Sequence, residues 1–360
     1  MEATIPTVRF ADVLHLARQQ DASDIHLVPG LTPALRVDGE LRFVSGPTLS
    51  ARETAEIARS LFEARAFARL EAGADVSVTC AVNERITLRA HAFGTSTGCA
   101  LAVRLLQDRV PTLDSLHLPA IVKTFAARDR GLIVFSGPTG SGKTTSLAAL
   151  IAEINTATAK RIITVEDPIE YRFTSARSLI TQREIGVDAH SFASALLGAL
   201  RADPDVIMLG EMRDSETIRA ALTAAETGHL VLTTLHTGNA VQTLERIVDA
   251  FSGDEQSQMR ALVAQTLLAV FSQRLLPRKH GPGRRAAVEV LLATDAVRAM
   301  VRDSRTHLIH NAMATSRHLG MQTLEHHLCE LVAGNEIDRE AARRVCERLG
   351  DRYLAAEPGA

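Results

Sequence analysis

The chain has 360 residues, of which 46% are hydrophobic and 23% are charged, and its formal net charge at pH 7 is −2. This length exceeds that of a typical single domain, so we expect two domains with buried cores. The near-neutral charge argues against bulk electrostatic capture of nucleic acid, and we expect no direct nucleic-acid partner.

The N-terminal part of the chain predicts a small α+β domain. Residues Ile5–Gln20 have helical spacing, and two short apolar runs flank Asp38-Gly39, a turn signal that favours a β-hairpin. Ser50 and Glu53 fit a capping box that begins a helix running to about Leu70. Three alternating stretches then predict strands: VSVTC, ITLRAHAF and CALAVRLL.

A stretch with two prolines separates this domain from the rest. Residues Leu105–Pro119 show little periodicity, which is typical of a linker. Strands and helices alternate beyond it, as in a parallel α/β sheet, with helices expected at 191–201, 239–250 and 256–275 and a last strand at AAVEVLLAT. We therefore predict an N-terminal domain, a linker, an α/β domain and a helical C-terminal region at residues 1–107, 108–120, 121–294 and 295–360.

A glycine-rich loop follows the apolar run Leu132–Phe135 and precedes a predicted helix. Its sequence, GPTGSGKT, matches the phosphate-binding loop in full. The glycines allow backbone N–H groups to surround phosphate oxygens, Lys143 reaches the β and γ phosphates, and the Thr144 hydroxyl can ligate Mg²⁺. The helix directs its positive N-terminus at the same anion. The sequence therefore predicts that ATP and Mg²⁺ bind at Gly137, Pro138, Thr139, Gly140, Ser141, Gly142, Lys143, Thr144 and Thr145.

Two predicted strands end in acidic residues: RIITV leads into Glu166, and VIML leads through a glycine into Glu211. Ligands sit at the carboxyl ends of parallel strands, so both carboxylates can face the phosphate loop. We expect Glu211 to orient the attacking water and Glu166 to share the magnesium shell or to polarise a second water. Together with Thr144, both are candidate metal ligands. The competing interpretation is that strand-end acids only cap the next helix, as expected for Asp214.

Two histidines bracket the predicted strand Leu230–Leu235. His236 follows its carboxyl end, where a side chain can report on the γ phosphate. A lone histidine on an apolar strand is usually a buried core residue. The position of His229 leaves that interpretation and a structural or interfacial role equally open.

The four cysteines are scattered and form no CxxC pair, so we expect packing residues and neither a zinc module nor a disulfide framework. No segment approaches the roughly 20 apolar residues that span a bilayer. The N-terminus also lacks the pattern of a signal peptide. We therefore expect a cytoplasmic protein.

These motifs resemble those of the secretion and pilus motor ATPases, and in particular those of the twitching-motility retraction ATPases of type IV pili. GPTGSGKTT, ITVEDPIEY, LRADPDVIMLGEMRD and TGHLVLTTLHT are similar to that family's Walker A motif, Asp box, Walker B motif and His box. ASDIHLVPG and LGMQTLEHHL extend the resemblance over nearly the whole chain.

The resemblance implies an α/β, RecA-like P-loop ATPase core with a smaller PAS-like N-terminal domain and a helical tail. It implies that Glu211 is the catalytic carboxylate, that Glu166 supports magnesium and water, and that His229 and His236 both respond to the nucleotide. It further implies a homo-hexamer that lies at the inner membrane through a pilus platform protein, with a paralogous motor as another partner. Extension and export relatives commonly carry a four-cysteine zinc module, and its absence from the sequence favours retraction.

The N-terminal domain in this family packs on a neighbouring subunit and supplies arginines to its nucleotide. Arg89 and Arg104 match two of these arginines, whereas Thr87 and His91 replace an arginine and an asparagine. An arginine supplied across an interface can accelerate hydrolysis by about 10³- to 10⁵-fold. The alternative is that both arginines are solvated strand residues.

Other functions stay open beside pilus retraction. An assembly motor of a type II secretion or DNA-uptake system shares the same engine, although the chain has no clear basic and aromatic stripe for direct contact with DNA. A non-hydrolysing accessory subunit would show a damaged catalytic set, whereas Lys143, Thr144, Glu166 and Glu211 are all present.

Overall fold

The computed structural model describes residues 10–37, 39–83, 86–106 and 110–346. The chain divides into two compact units, Met1–Arg109 and Val110–Ala360. Asp38 of the expected turn, the start of the first expected helix and the end of the C-terminal tail lie outside the described residues. No helix in the described ranges is long and apolar enough to cross a membrane.

The first unit is an antiparallel sheet whose strands lie in the order β3-β2-β1-β6-β5-β4. Three helices cover one face of this sheet. Leu88 and Ala90 point to that face and are fully buried, whereas Arg89 between them points to the other face and is partly exposed. The predicted capping box is confirmed: Ser50 N–H donates to the Glu53 carboxylate at 2.7 Å. The elements are α1 (Phe10–Gln19), β1 (Asp24–Leu27), β2 (Ala34–Val37), β3 (Glu40–Phe43), α2 (Ala51–Leu61), α3 (Ala64–Glu71), β4 (Val76–Asn83), β5 (Ile86–Thr95) and β6 (Gly98–Leu106).

The prediction of one continuous helix to about Leu70 is wrong. Phe62 and Glu63 have extended backbone conformations and separate α2 from α3. Phe62 is only 5% exposed and packs in the core of the first unit. The burial of this ring outweighs the local preference for helix, because tertiary packing routinely overrides propensity.

The second unit is built on a seven-stranded sheet in the order β13-β12-β7-β11-β10-β8-β9. All neighbouring strands are parallel except β12 and β13. The central strands are apolar throughout because helices and loops cover both sheet faces. Its strands are β7 (Gly131–Ser136), β8 (Arg161–Glu166), β9 (Leu179–Glu184), β10 (Val206–Leu209), β11 (Leu230–Leu235), β12 (Leu267–Pro277) and β13 (Arg284–Leu292).

The helices of this unit follow the alternation that the sequence predicts. They are α4 (Ile121–Thr124), α5 (Lys143–Ala157), α6 (Phe192–Ala199), α7 (Ser215–Glu226), α8 (Ala240–Asp249), α9 (Gly253–Thr266), α10 (Asp295–Arg302), α11 (Ile309–Thr315), α12 (Leu324–Ala333) and α13 (Arg339–Val345).

The expected helix at 256–275 is wrong in its second half. Helix α9 ends at Thr266, and Leu267–Pro277 forms β12 between β7 and β13. A short apolar run that is buried on both faces has no period that separates helix from strand. Strand β9 was not predicted at all, because its sequence LITQRE is a half-exposed edge strand without an apolar run.

The C-terminal helices pack on the same unit. Val297 of α10 and Met313 of α11 belong to the core on one sheet face, and Leu328 of α12 packs with Leu276 of β12. Residues 110–120 contain no strand, and Leu113 among them is buried against the opposite sheet face. The cysteines lie in or beside the cores, Cys80 and Cys99 in the first unit and Cys329 and Cys346 near α12 and α13.

Phe271 packs β12 beside β7, with its ring centroid 5.6 Å from that of Phe125 and 5.1 Å from that of Phe135. We expect Phe271→Ala to reduce the free energy of unfolding by about 3–5 kcal/mol, through lost burial and the cavity left behind. Urea unfolding followed by circular dichroism measures this loss. Val187→Ala, at a side chain that is 75% exposed, is the control and should change little. Equal effects of the two substitutions would contradict the assignment of β12.

Candidate functional site

The glycine-rich loop joins the carboxyl end of β7 to the start of α5. Gly137, Gly140 and Gly142 have φ values of +143°, +76° and +85°. A Cβ atom added to Gly137 would lie 2.5 Å from the backbone oxygen of Gln273 and 2.5 Å from the Ser141 hydroxyl. Only glycine fits at this position, and the loop can therefore bring its backbone N–H groups close to an anion.

Lys143 is folded back over this loop. Its Nζ donates to the carbonyl oxygens of Gly137 at 2.8 Å and of Pro138 at 3.0 Å, and the residue is 6% exposed. Burial lowers the pKa of Lys143, whereas the negative charges of Glu211 and Glu170 raise it. A bound phosphate would add a negative charge beside the buried Lys143 ammonium group and so favour its protonated form.

The residues of the loop fit a nucleoside triphosphate. The buried Ser141 hydroxyl has no hydrogen-bond partner within the described ranges and can donate to a phosphate oxygen. Thr144 stays partly exposed, and Thr145 Oγ1 lies 3.0 Å from the Tyr171 hydroxyl. The loop therefore offers an unsatisfied hydroxyl donor at Ser141, a buried ammonium group at Lys143 and, at Gly137, a position without room for a side chain.

Glu166 ends β8 and is almost completely buried, at 2% exposure. Its Oε1 accepts hydrogen bonds from Thr164 Oγ1 at 2.6 Å and from Gln182 Nε2 at 3.0 Å. Burial raises the pKa of this carboxyl, and the two donors lower it. Gln182 lies on the unpredicted strand β9 and also donates to the Tyr171 carbonyl at 2.8 Å. Gln182 of the edge strand β9 thus fixes the orientation of the Glu166 carboxylate, which the sequence predicts as a site residue.

Glu211 follows β10 and has a side chain that is 14% exposed. Arg213 forms an ion pair with Glu211 Oε1 through Nη2, and its Nη1 lies 3.9 Å from Asp167 Oδ2. His236 Nε2 lies 3.6 Å from Glu211 Oε2. The helix-capping alternative is met by Asp214, whose Oδ1 accepts from Thr217 N–H at 2.8 Å. Glu211 therefore does not cap α7, and its carboxylate lies among cationic groups near Lys143.

The two histidines lie at opposite ends of β11. Leu235 pairs with Ser136 at the phosphate-loop end, whereas Leu230 pairs with Gly131 at the other end. His236 consequently lies at the site, and burial together with Lys143 lowers its pKa, which favours the neutral ring. His229 precedes Leu230 and lies at the opposite end of β11 from the phosphate loop. Its role in the response to nucleotide stays a prediction. Its Nδ1 lies 2.9 Å from the Ala224 carbonyl oxygen, a structural contact at the end of α7.

Arg89 and Arg104 belong to the first unit. They are directly opposite each other on β5 and β6, and they share the sheet face that the helices leave uncovered. Arg104 is 60% exposed in its side chain and pairs with Asp24 at 2.8 Å. His91, which replaces the family's asparagine, lies 2.9 Å from the Ser77 hydroxyl. The sequence did not mark Asp24, because a single acid on a short strand carries no pattern.

Comparison with known proteins places residues 2–318 in the family described as Type II/IV secretion system protein. A Pseudomonas aeruginosa relative named type IV pilus retractation ATPase PilT is 40% identical over 332 residues, which cover 92% of this chain and 96% of the relative. A Neisseria gonorrhoeae relative named twitching motility protein is 42% identical over 313 residues, which cover 87% of this chain and 84% of the relative.

A crystal structure of the pilus retraction motor PilT with bound ADP matches with a TM-score of 0.87 and 40% identity. The match covers 94% of this chain and 97% of that chain. The chain therefore belongs to the Type II/IV secretion system protein family. The predicted fold class, an α/β core of RecA-like type with a smaller N-terminal α+β unit, is confirmed.

The steric role of Gly137 can be tested directly. We expect Gly137→Ala to weaken the binding of a fluorescent nucleoside triphosphate about tenfold or more, because the new Cβ strains the backbone and collides with the Gln273 carbonyl. Gly186→Ala is the matched control, since its φ is also positive, at +84°, but open space surrounds it. Unchanged affinity in Gly137→Ala, measured in a protein that melts normally, would rule out this loop as the phosphate site.

Proposed function

We propose that this family member is a Mg²⁺-dependent ATPase that works as a homo-hexamer and powers the retraction of type IV pili. One observation carries the ATPase part: Lys143, which begins α5 and is folded over the phosphate-binding loop, lies close enough to Glu211 after β10 for that carboxylate to raise its pKa. The named activity of the 40% identical Pseudomonas aeruginosa relative supports the retraction part.

The site residues divide the work of phosphoryl transfer. The loop N–H groups and Lys143 bind the phosphates and neutralise charge that develops on the γ phosphate. Glu211 accepts a hydrogen bond from the attacking water and aligns it with the γ phosphorus, while the neutral His236 ring can donate to a γ-phosphate oxygen. The water oxygen bonds to the γ phosphorus as the bond from that phosphorus to the β–γ bridging oxygen breaks. Glu211 accepts the proton of the water, and ADP leaves with the bridging oxygen.

The residues around Thr144 also fit a magnesium ion. Thr144 would hold it directly and Glu166 and Glu211 directly or through water, because hydroxyl and carboxylate oxygens are ligands that Mg²⁺ prefers. Bound there, the ion would neutralise charge on the β and γ phosphates. Glu166 can serve in this role only as a carboxylate; burial raises its pKa, and the hydrogen bonds from Thr164 and Gln182 oppose that shift.

A ring of subunits would complete the motor. Arg89 and Arg104 lie on an uncovered sheet face that can meet the nucleotide of a neighbouring subunit, and such an arginine makes hydrolysis depend on assembly. His229, at the far end of β11 from its own phosphate loop, would then act through a subunit interface. The partner outside the ring would be a pilus platform protein at the inner membrane. Through this partner the motor, itself cytoplasmic, would lie at that membrane. A paralogous motor would be a second partner.

We expect Glu211→Gln to lower kcat for ATP hydrolysis by at least about 100-fold, because the amide cannot accept the proton of the attacking water. Phosphate release measures the rate, and Glu216→Gln, on the exposed face of α7, is the matched control. A Glu211→Gln hexamer that keeps full activity would exclude the catalytic assignment.

The same variant decides the direction of the motor. In the native host, replacement of the chain by Glu211→Gln should give cells with more pili that no longer twitch, since extension continues without retraction. Bald cells would indicate an extension motor instead, and normal pili with defective secretion would indicate a secretion motor.

The pH dependence should expose Glu166. Removal of one donor in Gln182→Met raises the pKa of Glu166 further, so activity should be lost at a higher pH as the solution is acidified. The pH profile of kcat/KM measures this shift of the acidic limb. Gln258→Met, at an exposed glutamine of α9, should leave the limb in place. A shift in the opposite direction would show that Glu166 does not act as a carboxylate.

A further inference from the structure

Arg274 lies on β12 where this strand passes the phosphate loop. Ser272 pairs with Ser136, the last residue of β7, so the residues after Ser272 continue beside the loop. The Gln273 carbonyl lies against Gly137, and the Leu275 side chain would lie 3.4 Å from a Cβ on Gly142. Arg274 is therefore flanked by two residues that contact the loop.

The guanidinium group of Arg274 is directed at the loop 236–239, which joins β11 to α8. Its Nη2 donates to the Gly238 carbonyl at 2.6 Å, and its Nη1 donates to the Gln273 carbonyl at 3.0 Å. The Ser272 hydroxyl donates to the same Gly238 oxygen at 3.4 Å. One planar group thus ties the strand beside the phosphate loop to the loop that begins with His236, a geometry that lysine cannot reproduce.

Glu289 holds the other end of the loop 236–239. It is 4% exposed, and its Oε1 accepts a hydrogen bond from the N–H of Ala240, the first residue of α8, at 2.6 Å. Glu289 is opposite Ser272 in the β12–β13 ladder, so it shares a sheet face with Arg274. Burial raises the pKa of Glu289 and the charge of Glu325 adds to this, whereas the hydrogen bond from Ala240 and the charges of His310 and Arg274 lower it.

The loop 236–239 carries a residue of the site. His236 is two positions before Gly238, and its Nε2 lies 3.6 Å from Glu211 Oε2. A displacement of the Gly238 carbonyl would therefore move the imidazole relative to Glu211. The side chain of Arg274 is also close enough to Lys143 to lower the pKa of that lysine, which places the guanidinium charge in the field of the phosphate loop.

We propose that Arg274 is a positioning residue for ATP hydrolysis. Together with Glu289, which accepts from the Ala240 N–H, it holds the loop 236–239 so that His236 faces Glu211 and the phosphate loop. The effect on turnover rests on the proposed function, because Arg274 acts through His236. The mechanical link itself is a property of the folded chain.

Hydrogen exchange tests the link without any turnover. In the nucleotide-free protein, Arg274→Gln should accelerate amide exchange of the segment 236–242 by about tenfold, since the loop loses the guanidinium hydrogen bond to the Gly238 carbonyl. Arg278→Gln, at an exposed arginine just beyond β12, should leave that segment unchanged. Arg274→Lys should fall between, because an ammonium group can still donate to the Gly238 carbonyl. Unchanged exchange in Arg274→Gln would overturn the proposal.

A double-mutant cycle with His236 tests the catalytic consequence. Arg274→Gln should lower kcat about tenfold with a smaller change in KM for ATP, and the same substitution should have almost no further effect in a His236→Ala background. Equal reductions of kcat in both backgrounds would overturn positioning through His236. The two tests can also separate. If the wild-type protein hydrolyses no ATP but Arg274→Gln still accelerates exchange of the segment 236–242, the proposed function and the role of Arg274 in hydrolysis are refuted. The hydrogen-bonded link from Arg274 to the loop 236–239 then remains supported.

Discussion

The parallel register of β8, β10, β11 and β7 is the constraint on which the site depends. Strands that run in one direction all end at one edge of the sheet, so the residues that follow them meet there. Glu166 is the last residue of such a strand, and the phosphate loop, Glu211 and His236 each follow one. His229 precedes β11 instead of following it, so it lies at the opposite edge of the sheet from the phosphate loop. No contact between individual side chains could replace this arrangement, since the residues come from distant parts of the chain.

Burial gives the site a charge balance that a phosphate completes. The pKa of Lys143 is lowered by burial and the pKa of Glu166 is raised by it, so the folded chain disfavours the charged form of both groups. Hydrogen bonds compensate each group: loop carbonyls accept from Lys143, and Thr164 and Gln182 donate to Glu166. A phosphate beside Lys143 adds an attraction that the nucleotide-free chain lacks. Binding energy and the ionisation of the lysine are therefore linked.

The sequence predicts those parts of the molecule that local pattern determines. The phosphate loop, the capping box at Ser50 and the acid after β10 each depend on neighbours within a few residues, and all three are where the pattern places them. The unpredicted parts depend on contacts between distant segments. Strand β12 is a strand because it fills a space between β7 and β13, and Gln182 matters because β9 lies beside β8. Such partners have no signal within their own segments.

Strand β12 also explains why the C-terminal helices belong to the same unit as the phosphate loop. Leu276 of β12 packs with Leu328 of α12, and His327 of α12 accepts from the Val288 N–H of β13 at 2.9 Å. Val288 precedes Glu289, whose carboxylate holds the first N–H of α8. Contacts therefore run without interruption from α12 through two strands to the loop that carries His236. In this chain these contacts join α12 to the loop that carries His236, whose Nε2 lies 3.6 Å from Glu211 Oε2. Packing of the C-terminal helices and the geometry of the site therefore depend on the same two strands.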